Sequence, residues 1–64
     1  MKYYIVNTFY NVIMDGSKQT GYYSREDAEK RCYELNLRLE KKGKKGMGVA
    51  MSEENARKLN PAIG

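Results

Sequence analysis

The stretch from Ser24 to Gly43, SREDAEKRCYELNLRLEKKG, limits the fold more than any other part of the chain. It carries a start signal, an apolar stripe and a stop signal for one amphipathic helix. Ser24 is a natural N-cap, because its hydroxyl can accept a bond from an orphan N–H of the first turn. Asp27 stands where a capping box would place Glu or Gln. Glu26, Asp27 and Glu29 set negative charge at the positive end of the helix dipole, and Lys41 and Lys42 set positive charge at the other end. Gly43 suits a left-handed C′ position. Ala28, Cys32, Leu35 and Leu39 recur at helical spacing and form one stripe. Glu26–Lys30 and Glu34–Arg38 are i,i+4 pairs worth about 0.3 kcal/mol each. Tyr33 and Leu37 lie together, almost opposite to Ala28 and Cys32. They read as a local stabilising pair, or as a docking patch for a partner protein or a dimer mate.

Before the helix, Lys2 to Met14 has strand composition, rich in aromatic and β-branched residues. Apolar residues occur there in adjacent pairs. Either both faces of the strand are covered, or a bulge near Asn7–Asn11 shifts the register. Asp15–Gly16, followed by Ser17 and Lys18, signals a turn. Gln19 to Tyr23 then reads as the return strand of a hairpin. After the helix, Met47 to Met51 suits a third strand, with Gly48 marking a weak point or bulge. Ser52 repeats the N-cap logic for a short second helix, with Ala56 and Leu59 inward. Pro61 stops that helix, and Ala62 to Gly64 read as a tail. The expected fold is α+β: a small two-layer domain with an antiparallel sheet of about three strands, one main helix and a short C-terminal helix, in the order β-β-α-β-α. Residues 1–64 form a single small domain.

A chain of 64 residues is near the lower limit for a self-sufficient core. An intrachain disulfide is excluded because Cys32 is the single cysteine, and its place on the stripe suits a buried small hydrophobe. Without histidine, no plausible zinc site forms. Tight packing or a homodimer is then the expected aid to stability. No segment is apolar enough to span a membrane. Met1–Lys2 lead into a tyrosine-rich run and not a signal-peptide core, so the expected location is the cytoplasm of the producing or host cell.

No catalytic constellation is visible, and no cofactor or metal is expected. Histidine, the usual neutral-pH acid–base group, is absent. The glycine-rich run at residues 43–48 precedes a strand and opens no helix, so it fails the context of a phosphate loop. The leading expectation is a non-catalytic protein-binding module, a regulator or inhibitor that occludes a partner protein. Its expected contacts are Tyr33 and Leu37, together with Tyr4, Tyr10 and Tyr22 on an open sheet face, because tyrosine is enriched at interface hot spots. In style, such a short, charge-rich chain is similar to accessory proteins of phages and mobile elements.

The alternative is nucleic-acid binding. Of the 12 Lys and Arg, Lys41, Lys42, Lys44 and Lys45 cluster together, and the rest balance the 8 Asp and Glu. The protein is thus a neutral domain with one basic knob. Those four lysines could contact phosphates, with Tyr22 or Tyr23 stacking on bases. The hairpin and the helix start that follows it, YYSREDA, resemble the three-stranded arm-binding domains of integrases, which implies a sheet that enters a DNA groove.

Overall fold

The computed structural model describes residues 2–15, 20–44 and 47–63. The chain runs β1 (Tyr3–Asn7), β2 (Val12–Ile13), α1 (Arg25–Lys41), β3 (Gly48–Ser52) and α2 (Glu53–Leu59). The three strands form an antiparallel sheet in the order β2-β1-β3. The α+β class and the element order therefore stand as read from the sequence.

The main helix follows its signals. Ser24 Oγ accepts the Asp27 N–H, and acidic residues fill the first turn. At the far end Gly43 takes φ +64°. The Lys44 N–H bonds the Leu39 carbonyl and the Gly43 N–H bonds that of Glu40, which satisfies two orphan carbonyls of the last turn. Ala28 and Cys32 are buried, and Leu35 and Leu39 are half-buried. The charge pairs differ from the expected ones. Arg25 pairs with Glu29, and Glu34 turns back to Arg31 instead of reaching Arg38.

β1 explains the paired apolar residues at the start of the chain: both of its faces are covered. Tyr4 and Val6 pack with Ala56 of α2 and with Ile63, flanked by Ile13 and Met51. Ile5 lies on the other face with α1, where Ala28 and Cys32 are buried. The last described residues are not a loose tail. Ile63 is buried, and its carbonyl accepts a bond from Arg57 Nε. Leu59, expected inward, is exposed instead, because Ala56 and Ile63 already fill that side.

The hairpin also differs from the expectation. β1 and β2 pair as Val6↔Ile13 and Asn7↔Val12, so the chain turns at residues 8–11, inside the stretch read as strand. The cause is side-chain chemistry. Asn7 Oδ1 accepts the N–H groups of Phe9 and Tyr10, and Asn11 adopts φ +57°, a conformation that asparagine tolerates better than most residues. The turn expected at Gly16, Ser17 and Lys18, and Gln19 of the expected return strand, lie outside the described residues. From that return strand, Tyr22 makes an isolated bridge to Tyr3.

Gly48 makes no bulge. It is glycine because the helix and the sheet meet there. A Cβ would strike Met14 Sδ, Ile5 Cγ2 at 3.1 Å and Asn36 Oδ1 at 3.2 Å. Gly43, by contrast, has only its backbone conformation to defend, with nothing within 4 Å of an added Cβ. Gly48→Ala should therefore cost about 2 to 3 kcal/mol through overpacking. Gly43→Ala should cost about 1 kcal/mol through the left-handed strain alone. Urea unfolding of both variants checks this, and equal losses would contradict the close approach at Gly48.

Candidate functional site

Large apolar side chains left in water gather at one end of the sheet. The hairpin tip carries Phe9 and Tyr10, which are 60% and 59% exposed. Their rings meet edge to face at 4.8 Å between centroids, an arrangement favoured by the aromatic quadrupole. Val12 on β2 is exposed beside them in sequence. Met47, also exposed, joins them across the sheet, because its carbonyl accepts both the Thr8 N–H at 3.1 Å and the Thr8 hydroxyl at 3.2 Å.

The tip is held from three sides. The buried Asn7 amide caps two of its backbone N–H groups. The Asn11 N–H bonds the Asn7 carbonyl at 2.7 Å and closes the loop. Asn60, just past the end of α2, donates from Nδ2 to the Asn11 carbonyl at 2.9 Å. Asn60 in turn accepts the Ala62 N–H, so the same residue turns the last segment back to the core. Two neighbouring aromatic rings are thus displayed on a braced loop, which lowers the entropy lost when they are covered.

A second cluster joins Asp15 and Tyr22 to Arg31 of α1. The Asp15 carboxylate is buried, and its Oδ2 accepts the Tyr22 hydroxyl at 2.6 Å and Arg31 Nε at 2.9 Å. Arg31 also reaches Glu34 at 3.0 Å. Asp15 and Glu34 raise the Arg31 pKa and keep the guanidinium charged. Burial, then the bond and charge of Asp15, push the Tyr22 phenol up to about 12. This triad fastens the segment between β2 and α1 onto the main helix. It is a structural lock, with charge-assisted bonds that are stronger than neutral ones.

The residues expected to contact a partner fall into separate places. Tyr4 is corrected: it is 1% exposed, its ring lies in the core and its hydroxyl donates to Glu53 at 3.4 Å. No open sheet face exists along β1 to display it. Tyr22 is half-buried, and its hydroxyl is committed to Asp15. Tyr10 is on the hairpin tip. Tyr33 and Leu37 are 68% and 39% exposed on the outer side of α1. Among the basic residues, Lys41, Lys42 and Lys44 are exposed at the end of α1, and Lys45 lies outside the described residues. Tyr23 is exposed as well.

Phe9, Val12 and Met47 were read only as strand residues and were not among the expected contacts. The signal for the tip was the pair of asparagines that bracket T-F-Y at residues 7 and 11. Asparagine bonds its own backbone two residues on and tolerates φ > 0, which is turn chemistry without glycine. Cys32 is buried as expected, and its thiol donates to the Gly48 carbonyl at 3.1 Å. Burial raises its pKa, which suits an unreactive thiol.

No family model, no curated protein and no solved structure matches this chain. The integrase resemblance thus gains no support from a structural neighbour. Among the described residues, no helix is long and apolar enough to cross a membrane.

The Tyr22 shift has a pH consequence. The phenol is uncharged when protonated, and the folded state holds that proton more tightly than the unfolded chain, whose tyrosines titrate near 10.0. The contribution of the Tyr22–Asp15 bond to stability is therefore complete below that pH and is lost as the pH rises toward about 12. Phenolate absorbance of the folded protein should include a late-titrating component from Tyr22, and Tyr22→Phe should remove it. A titration unchanged by Tyr22→Phe would contradict the triad.

Proposed function

We propose that this chain is a small, non-catalytic protein-binding module that acts as a regulator or inhibitor by covering part of a partner protein. The hairpin tip is its contact element, and the cytoplasm of the producing or host cell is its place of action. The observation that carries this reading is the braced display of Phe9 and Tyr10 with Met47 close by. Aromatic residues and methionine are the types enriched in the desolvated centre of protein interfaces. A domain this short has little apolar material to spare, so leaving two adjacent rings in water has a cost that covering by a partner would remove. Tyr33 and Leu37 offer a secondary contact, either for the same partner or for a second copy of the chain.

Nucleic-acid binding is the runner-up. Its support is the exposure of Lys41, Lys42 and Lys44 at the end of α1. Cations at a helix C-terminus are also ordinary dipole partners, and for that reason this reading stands second.

One pair of variants separates the two. The double change Phe9→Ser and Tyr10→Ser should abolish capture of a stoichiometric protein partner from nuclease-treated lysate, with loss of about 2 kcal/mol or more in affinity once the partner is purified. Replacing Lys41, Lys42 and Lys44 by Gln should leave that capture in place and slow mainly the association rate. Loss on lysine replacement, a steep fall of affinity with salt and no effect of the tip variant would reverse the order of the two readings.

A further inference from the structure

β3 is an edge strand, and most of its outer edge is already sealed by the main helix. The bonds from the Thr8 N–H to the Met47 carbonyl and from the Glu53 N–H to the Lys2 carbonyl fix the phase of the β1–β3 ladder. With the register Tyr4↔Met51 and Val6↔Val49, the backbones of Val49 and Met51 face β1, and those of Gly48, Ala50 and Ser52 face outward. At Gly48 the Asn36 side chain imitates a neighbouring strand. Its Oδ1 accepts the Gly48 N–H at 2.7 Å and its Nδ2 donates to the Gly48 carbonyl at 3.0 Å. The Ala50 N–H faces the Cys32 sulfur. What remains, among the described residues, is the Ala50 carbonyl and the Ser52 N–H, neither with a hydrogen-bond partner in the fold.

These two groups open into a surface groove of about 670 Å³ between the start of α1 and α2. Val49, Met51 and Leu59 give it an apolar wall, and Arg25 and Lys58 stand on it. Among the described residues Lys58 has no ion-pair partner, and Arg25 holds only the exposed Glu29.

We propose that the Ala50–Ser52 edge of β3 takes one residue of an extended acidic peptide segment as an added parallel strand. A carbonyl and an N–H two residues apart are what one residue of a parallel strand requires: its N–H donates to the Ala50 carbonyl, and its carbonyl accepts the Ser52 N–H. An antiparallel strand would need the Ala50 N–H, which the helix occupies. A second copy of the chain fits poorly. It would have to supply a residue with both backbone groups facing outward and free, and on this edge Gly48 has both engaged and Ala50 its N–H. Side-chain alternation then sets the sequence of the segment. The residue opposite Met51 lies on the α2 face, over Val49 and Leu59, and is apolar. Its two neighbours lie toward Arg25, and the residues beyond them run back past Lys58. Carboxylates at these flanks complement both cations. This site is distinct from the hairpin tip and does not depend on the role given to Phe9 and Tyr10.

The test titrates the full-length protein with the acetylated, amidated peptide Glu-Glu-Val-Glu-Glu while amide signals are followed by NMR. The expected result is a shift and slowed hydrogen exchange at Ser52. N-methylation of the peptide valine, which removes the N–H meant for Ala50, should weaken binding about tenfold. Lys58→Glu, an exposed change that leaves the core intact, should weaken it several-fold. Four results would overturn the proposal: no binding, binding indifferent to N-methylation, shifts centred on the lysines at the end of α1, or Ser52 shifts that follow protein concentration without peptide. The last would assign the edge to a second copy.

Discussion

Everything in this domain depends on one strand that is used twice. β1 hydrogen-bonds to a neighbour on each side and buries side chains on each face. A five-residue strand thereby organises two helices, two partner strands and the last described residues. This economy answers the size problem of a short chain. With little apolar surface available, the domain places its most apolar run, YYIV, where every side chain can be covered. It then lines both sides with small residues. Ala28 and Ala56 are fully buried, one on each helix, and let the helix backbones approach the sheet.

The second organising device is the use of asparagine side chains in place of backbone. Asn7 caps the hairpin turn, Asn36 stands in for a strand beside Gly48, and Asn60 ties the end of α2 to the hairpin. Each amide provides a donor and an acceptor in the plane that a peptide group would occupy. A chain with few residues can in this way satisfy backbone groups that a larger protein would pair with another strand. The exposed rings at the tip and the open groups of β3 are what this economy leaves over, and both proposed contacts fall there.

The main helix and its caps were legible in the sequence because local rules decide them. Ser24, the acidic first turn and Gly43 act within a few residues of themselves, and the Schellman-type ending needs no information from elsewhere. The class and the order of elements followed from the same local reading. The hairpin was not legible in the same way. The turn between Asn7 and Asn11 holds no glycine or proline and rests on asparagine amides, a weaker signal by composition than Asp15–Gly16. The burial of Tyr4 was hidden for a different reason. Whether a tyrosine lies in the core depends on what covers the second face, and the cover comes from Ala56 and Ile63 at the far end of the chain. The tip residues Phe9 and Tyr10 look like strand residues until the Asn7 amide turns the backbone beneath them.

The Asn36–Gly48 clamp has a further consequence, for the order in which the fold can assemble. It joins groups only 12 positions apart, next to a helix with strong local signals. The bond from Tyr4 to Glu53 spans 49 positions. Loop closure over the shorter span carries the smaller entropy cost, so helix and third strand form a natural nucleus, and the first strand, already paired with β2 across the local hairpin, docks on it last. On this route the beginning of the chain is the keystone and not the foundation. Its docking follows the step that sets the folding rate, and φ-values near zero at Tyr4 beside high values at Cys32 and Asn36 would be its kinetic signature.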